Sequence, residues 1–200
     1  TREYVAVEGR PEVGTPARMT REVFGTDPLI ARGLVFDEVT FPAPLGPLGA
    51  WVVDGGDTWV IHTHGHGGDR IEALRALPAI NRSGLSSFVI DYRNDDGVAE
   101  DPSGYYLHGA TEWRDLEAAV TYALDQGAGS VVLYGYSMGG GVVMSFLYKS
   151  PLAASVSGVV LDAPMLDLSR VIDQAAGQIH VPGFITSTAR LITEKRFDIE

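Results

Sequence analysis

The run Gly135-Tyr136-Ser137-Met138-Gly139-Gly140 sets one serine among glycines. It follows the apolar stretch Val131-Val132-Leu133-Tyr134, which reads as a buried strand, and it opens a helical stretch from Gly139 to Tyr148. A serine in a tight strand-to-helix turn presents its hydroxyl to solvent from a strained backbone. Glycines on either side let strand and helix approach without Cβ clashes, and Gly135 and Gly139 fill those places. The chemistry that suits this turn is nucleophilic. The hydroxyl oxygen attacks a carbonyl carbon, and the N–H of Met138, at a helix N-terminus, faces the oxyanion that develops. Ser137 is therefore the candidate nucleophile.

A second glycine-rich loop, His64-Gly65-His66-Gly67-Gly68, follows the short apolar strand Trp59 to Thr63. A second oxyanion donor belongs in a loop after an early strand, ahead of the nucleophile. The backbone N–H of His66 is the candidate, with Gly65 giving the loop room. His64 is expected to brace the loop through side-chain hydrogen bonds. A metal centre is the rival reading, because His62, His64 and His66 alternate. The metal motif H-x-H-x-D-H would need Asp at 66 and His at 67, where the chain has His and Gly. His62 lies in a strand, where a buried structural role is open to it. Neither a metal nor a cofactor is expected.

Around these two loops the pattern alternates between strands and helices. Val35–Phe41, Ala50–Val53, Trp59–Thr63, Ser87–Tyr92, Ser130–Tyr134 and Val156–Asp162 read as strands. Ile71–Asn81, Thr111–Gln126 and Gly139–Tyr148 read as helices, the second with Thr111 as N-cap. Such alternation predicts an α/β fold, a mainly parallel sheet flanked by helices, with chemistry at the carboxyl ends of the strands. Residues 1–34 read as an irregular arm, with a short helix near Ala17 to Phe24. Residues 35–164 form the core, and 165–200 form a helical segment.

Bulk properties narrow the function. The 200 residues carry a net charge of -11 with no basic patch, so nucleic-acid binding is not expected. No apolar run is long enough to span a membrane. There is no cysteine, which removes disulfides and thiolate chemistry and leaves the compartment open. No leader is legible at Thr1, and a chain that does not open on Met leaves room for one upstream.

With both loops placed, the chain resembles the α/β-hydrolase superfamily, closest to its esterase-like and peptidase-like bacterial members. The resemblance rests on Thr63 to Gly68, Asp91-Tyr92-Arg93, Gly109 to Asp115, Gly135 to Gly140 and Leu161 to Pro164, and covers about residues 35–167. It implies acyl transfer through a covalent intermediate, in which a histidine takes the serine proton and an acid orients that histidine. It also implies that residues 165–200 begin a helical cap. The family order is serine, then acid, then histidine. After the serine, only one further strand is legible. Asp162, at its end, is the candidate acid within the chain, and His180 the candidate base. The stronger expectation is an incomplete fold, with acid and histidine carried by a C-terminal remainder.

His108 is expected to line the pocket. Asp95, Asp96, Glu100 and Asp101 read as a solvated acidic loop near the site mouth, and Tyr105 and Tyr106 as pocket walls or loop packing. The expected function is cleavage of a small-molecule carboxylic ester, or less readily an amide, through an acyl-enzyme on Ser137. The alternative is a catalytically silent binding module on the same fold. Dehalogenase or epoxide-hydrolase chemistry needs Asp at the elbow, and Ser137 argues against it.

Overall fold

The computed structural model describes residues 26–178, with 183, 185–188 and 191. The helix expected near 17–24 and His180 lie outside the described residues. Two antiparallel strands, β1 (Asp37–Phe41) and β2 (Leu48–Val53), open the fold across the Pro/Gly turn between them. β3 (Thr58–Thr63), β4 (Ser86–Ile90), β5 (Ser130–Tyr136) and β6 (Val156–Asp162) complete a six-stranded sheet in the order β1-β2-β4-β3-β5-β6. β2 pairs antiparallel with β4, and the pairs from β4 to β6 are parallel. This is the mainly parallel sheet that the alternating pattern predicts.

The order places the site. The chain steps from β3 to β4 on one side, then crosses back so that β5 lies on the other side of β3. Crossovers diverge there, and the loops after β3 and β5 leave an opening at the carboxyl edge of the sheet. Both glycine-rich loops sit at that point.

Helices cover both faces. α3 (Trp113–Asp125) and α4 (Met138–Lys149) bury Leu116, Val120, Val142 and Phe146 against Ile61, Phe88 and Leu133. On the opposite face a 3-10 helix (Arg70–Arg75) and α2 (Leu77–Arg82) pack Leu74 and Leu77 on Trp51, Val89 and Tyr136. α1 (Pro28–Arg32) lies within the stretch read as irregular. α5 (Leu168–Gln178) follows β6.

Two helix boundaries differ from the sequence reading. The helix expected over 71–81 is split, because Pro78 in the first turn of α2 supplies no N–H and disfavours helical geometry just before it. α3 starts at Trp113 and Thr111 does not cap it. Its Oγ1 donates to Asp101 instead, while the Glu112 carboxylate accepts the N–H groups of Leu107, Gly109 and Thr111.

The long segment between β4 and α3 is organised by one buried cation. The Arg93 guanidinium donates through Nε and Nη2 to Asp115, at 2.7 and 2.8 Å, and through Nη1 to Asp101 at 3.1 Å. Its side chain is 5% exposed. Asp101 therefore belongs to a buried ion cluster and not to a solvated acidic loop. Asp95 is buried as well, whereas Asp96 and Glu100 are exposed. Arg93→Met leaves Asp101 and Asp115 buried without their partner, and breaking such a pair costs roughly 3–5 kcal/mol. Urea unfolding of the variant is expected to show a loss of that size.

Candidate active site

Ser137 joins β5 to α4 with φ 47° and ψ -113°, a conformation that L-residues rarely adopt. Backbone hydrogen bonds hold it there. Its N–H donates to Asp162 C=O at 3.0 Å, and its C=O accepts from Gly140 N–H at 3.0 Å and Met165 N–H at 2.8 Å. The side chain is exposed, while Tyr136 and Met138 on either side are buried.

The flanking glycines are demanded by space. A Cβ on Gly135 would lie 2.7 Å from Gly139 O and from Gly140 Cα. A Cβ on Gly139 would collide with the Thr63 carbonyl oxygen, at the end of β3. The elbow thus rests directly against the strand that feeds the second loop.

In that loop a Cβ on Gly65 would come 3.1 Å from Ser137 Cβ, so the loop backbone runs alongside Ser137. Gly65 N–H donates to Glu72 Oε2 at 2.7 Å, and Gly68 N–H to Gly65 C=O at 3.0 Å. The N–H of His66 has no acceptor among the described residues. Met138 is the first residue of α4, so its N–H has no intrahelical acceptor. Both candidate donors are therefore free to bind a ligand oxygen.

His64 is buried with a hydrogen-bond acceptor at each ring nitrogen. Nδ1 lies 3.0 Å from Gly65 C=O and Nε2 lies 2.9 Å from Asp95 Oδ2. Both contacts suit a protonated ring, in which each nitrogen carries an N–H. Burial opposes the charge, but the hydrogen bond and attraction of Asp95 outweigh it and raise the His64 pKa. Tyr92 stacks on the ring and donates its hydroxyl to His64 C=O at 3.0 Å.

The rim is aromatic and polar. The His66 ring lies 5.8 Å from that of His108 and 4.9 Å from that of Tyr106. Burial, then the neighbouring His66, lower the His108 pKa, and its Nδ1 is buried without a partner among the described residues. Tyr106 donates to Asn94 C=O at 2.8 Å, while Tyr105 is exposed. A polar cleft of about 380 Å³ opens beside Gly67, Gly68 and Arg70, bordered by Asp91, Asp95 and Asp96.

The other candidates fall differently. The Asp162 carboxylate pairs with Arg75 at 3.1 Å, and its carbonyl holds the Ser137 N–H. No described histidine is hydrogen-bonded to Ser137. His62 is buried, with Nδ1 3.0 Å from the Tyr136 hydroxyl, and burial lowers its pKa to about 3. Among the described residues no cluster of His, Asp or Glu could hold a metal, and no helix is long and apolar enough to cross a membrane. Glu72, Arg75 and Asp95 were not legible as site residues. Glu72 lies seven positions beyond Gly65, and helical spacing after a glycine loop is a weak signal.

Solved structures with this arrangement are α/β hydrolases. The Pyrococcus furiosus esterase Pf2001 superposes with a TM-score of 0.66 at 21% identity, over 90% of this chain and 66% of that one. A second crystal form gives 0.63 at 21% identity, over 86% and 68%. The Xanthomonas campestris protein XC6422, described as an α/β serine hydrolase without a lid, gives 0.54 at 22% identity, over 64% and 61%. The chain thus spans about two thirds of the length of these structures. No curated protein matches it. The sequence pattern of the family described as serine aminopeptidase, S33, matches residues 57–194. The chain belongs to this family of α/β hydrolases.

Two outcomes test this geometry. Gly139→Ala forces the elbow away from β3; overpacking costs about 1–3 kcal/mol, and a contact with backbone belongs at the upper end. Urea midpoints measure it. For His64, a raised pKa means that its contribution is complete below the unfolded value of 6.5 and is lost as pH rises through the folded value. As pH rises above 6.5, wild type is expected to lose stability more steeply than Asp95→Asn, read from urea midpoints across the pH series.

Proposed function

We propose that this hydrolase cleaves a carboxylic ester through an acyl-enzyme on Ser137. Ser137 Oγ bonds to the carbonyl carbon while its proton passes to a histidine base. The carbonyl π electrons move to oxygen, and the N–H groups of His66 and Met138 stabilise that oxyanion. Collapse restores the carbonyl and breaks the ester C–O bond, and the alcohol leaves with the proton. Water then attacks the acyl-enzyme by the same route and releases the acid and free Ser137.

The observation that carries this reading is the strained, exposed Ser137 beside two N–H groups without acceptors. With Asp162 committed to Arg75, we assign the base and its orienting acid to parts of the whole protein outside the described residues. This matches β6, whose outer edge has no strand partner among the described residues and whose Val159 and Val160 are partly exposed.

A second reading, a silent binding module, draws on the absence of any described histidine at Ser137. Fluorophosphonate treatment of the full-length protein decides between them. Prompt modification at Ser137 is expected, along with hydrolysis of p-nitrophenyl esters that Ser137→Ala lowers by about 10⁴-fold or more. An unmodified Ser137 would sink the hydrolase reading. A matched anilide series measures the amide preference.

A further inference from the structure

The two halves of the candidate oxyanion hole come from elements far apart in sequence, the loop after β3 and the turn after β5. Their N–H groups act together only if their separation is fixed to a fraction of an ångström. A continuous path of polar contacts joins them through the side chains of Glu72, Arg75 and Asp162.

The path begins at Gly65, whose N–H donates to Glu72 Oε2 at 2.7 Å. The other carboxylate oxygen of Glu72 lies 3.3 Å from Arg75 Nη2. The same Arg75 nitrogen is 3.1 Å from Asp162 Oδ2. Asp162 C=O accepts the N–H of Ser137 at 3.0 Å. The Arg75 guanidinium also lies over the ring of Tyr136, 4.6 Å from its centroid, against the residue that precedes the nucleophile. Gly65 is thus packed between Ser137 on one side and Glu72 on the other: a Cβ there would be 3.1 Å from the first and 3.3 Å from the second.

We infer that Glu72 and Arg75 are positioning residues. They form an ionic strap that fixes the His66 N–H at its working distance from Ser137 and Met138. The inference rests on the hydrolase reading of Ser137. Glu72 fills the Gly65 N–H and so leaves the next N–H in the loop, that of His66, for the substrate. Arg75 transmits the position of β6 to the 3-10 helix. Neither side chain touches the reacting atoms, so both act on the rate through geometry alone.

The test uses the full-length protein carrying Glu72→Ala, Glu72→Gln or Arg75→Met. The amide oxygen of Gln can still accept from Gly65 N–H, whereas Ala offers no acceptor. For p-nitrophenyl ester hydrolysis, Glu72→Ala and Arg75→Met are expected to lower kcat about tenfold or more with KM within twofold. Glu72→Gln keeps an acceptor for Gly65 N–H but turns its amide NH2 toward Arg75, so its kcat is expected to fall between wild type and Glu72→Ala. Amide hydrogen exchange over 64–68 is expected to quicken in Glu72→Ala, and over both 64–68 and 136–140 in Arg75→Met. Unchanged kcat or unchanged exchange overturns the strap. So does an equal loss in the Ala and Gln variants that merely tracks a lowered Tm. If wild-type Ser137 resists the fluorophosphonate, the hydrolase reading fails, and the exchange result alone decides whether the strap exists.

Discussion

The site depends on how closely the start of α4 lies against the end of β3. With no room for a Cβ at Gly139, the two backbones meet at the Thr63 carbonyl. That contact brings the glycine loop after β3 to the side of Ser137. It also sets the N-terminus of α4, whose first N–H has no intrahelical acceptor, beside that loop. A single methyl group in the wrong place separates them, because interiors are packed too densely to absorb it.

Strain at Ser137 is the local consequence, and the chain answers it with backbone hydrogen bonds. β6 and the loop that follows supply an acceptor for its N–H and a donor for its C=O. Ala163, in that loop, is itself at φ 47°. Unfavourable dihedrals persist where the surroundings over-determine them. Here the over-determination comes from three places at once: the end of β6, the first turn of α4 and the segment after β6. The geometry of Ser137 is therefore a property of the β5–β6 side of the sheet and not of the G-x-S-x-G run alone.

The sheet was legible because buried parallel strands are short apolar runs, and Val131 to Leu133 and Phe88 to Ile90 announce themselves. The strand-to-helix turn at Ser137 and the glycine loop at Gly65 were legible because each is compressed into five or six consecutive residues. What escaped was whatever depended on side chains meeting across the fold. Thr111 looked like a helix cap, but Asp101 competes for its hydroxyl and the helix begins later. Asp95 and Asp101 looked like solvent-facing charge, because nothing in a linear run of acids announces that His64 and Arg93 will be buried opposite them. The path from Glu72 to Asp162 runs through residues on a 3-10 helix and a distant strand, and local pattern carries no trace of such a meeting.

The segment between β4 and α3 has the length and irregularity from which swinging lids are made. Its underside, however, is pinned by a guanidinium held at both ends and by the Glu112 carboxylate gathering three backbone N–H groups. A margin built this way is a wall, not a door. Tyr106, its hydroxyl held by Asn94 C=O and Asp95, is set in place along this margin, so contact with its ring carries little entropic toll of ordering it.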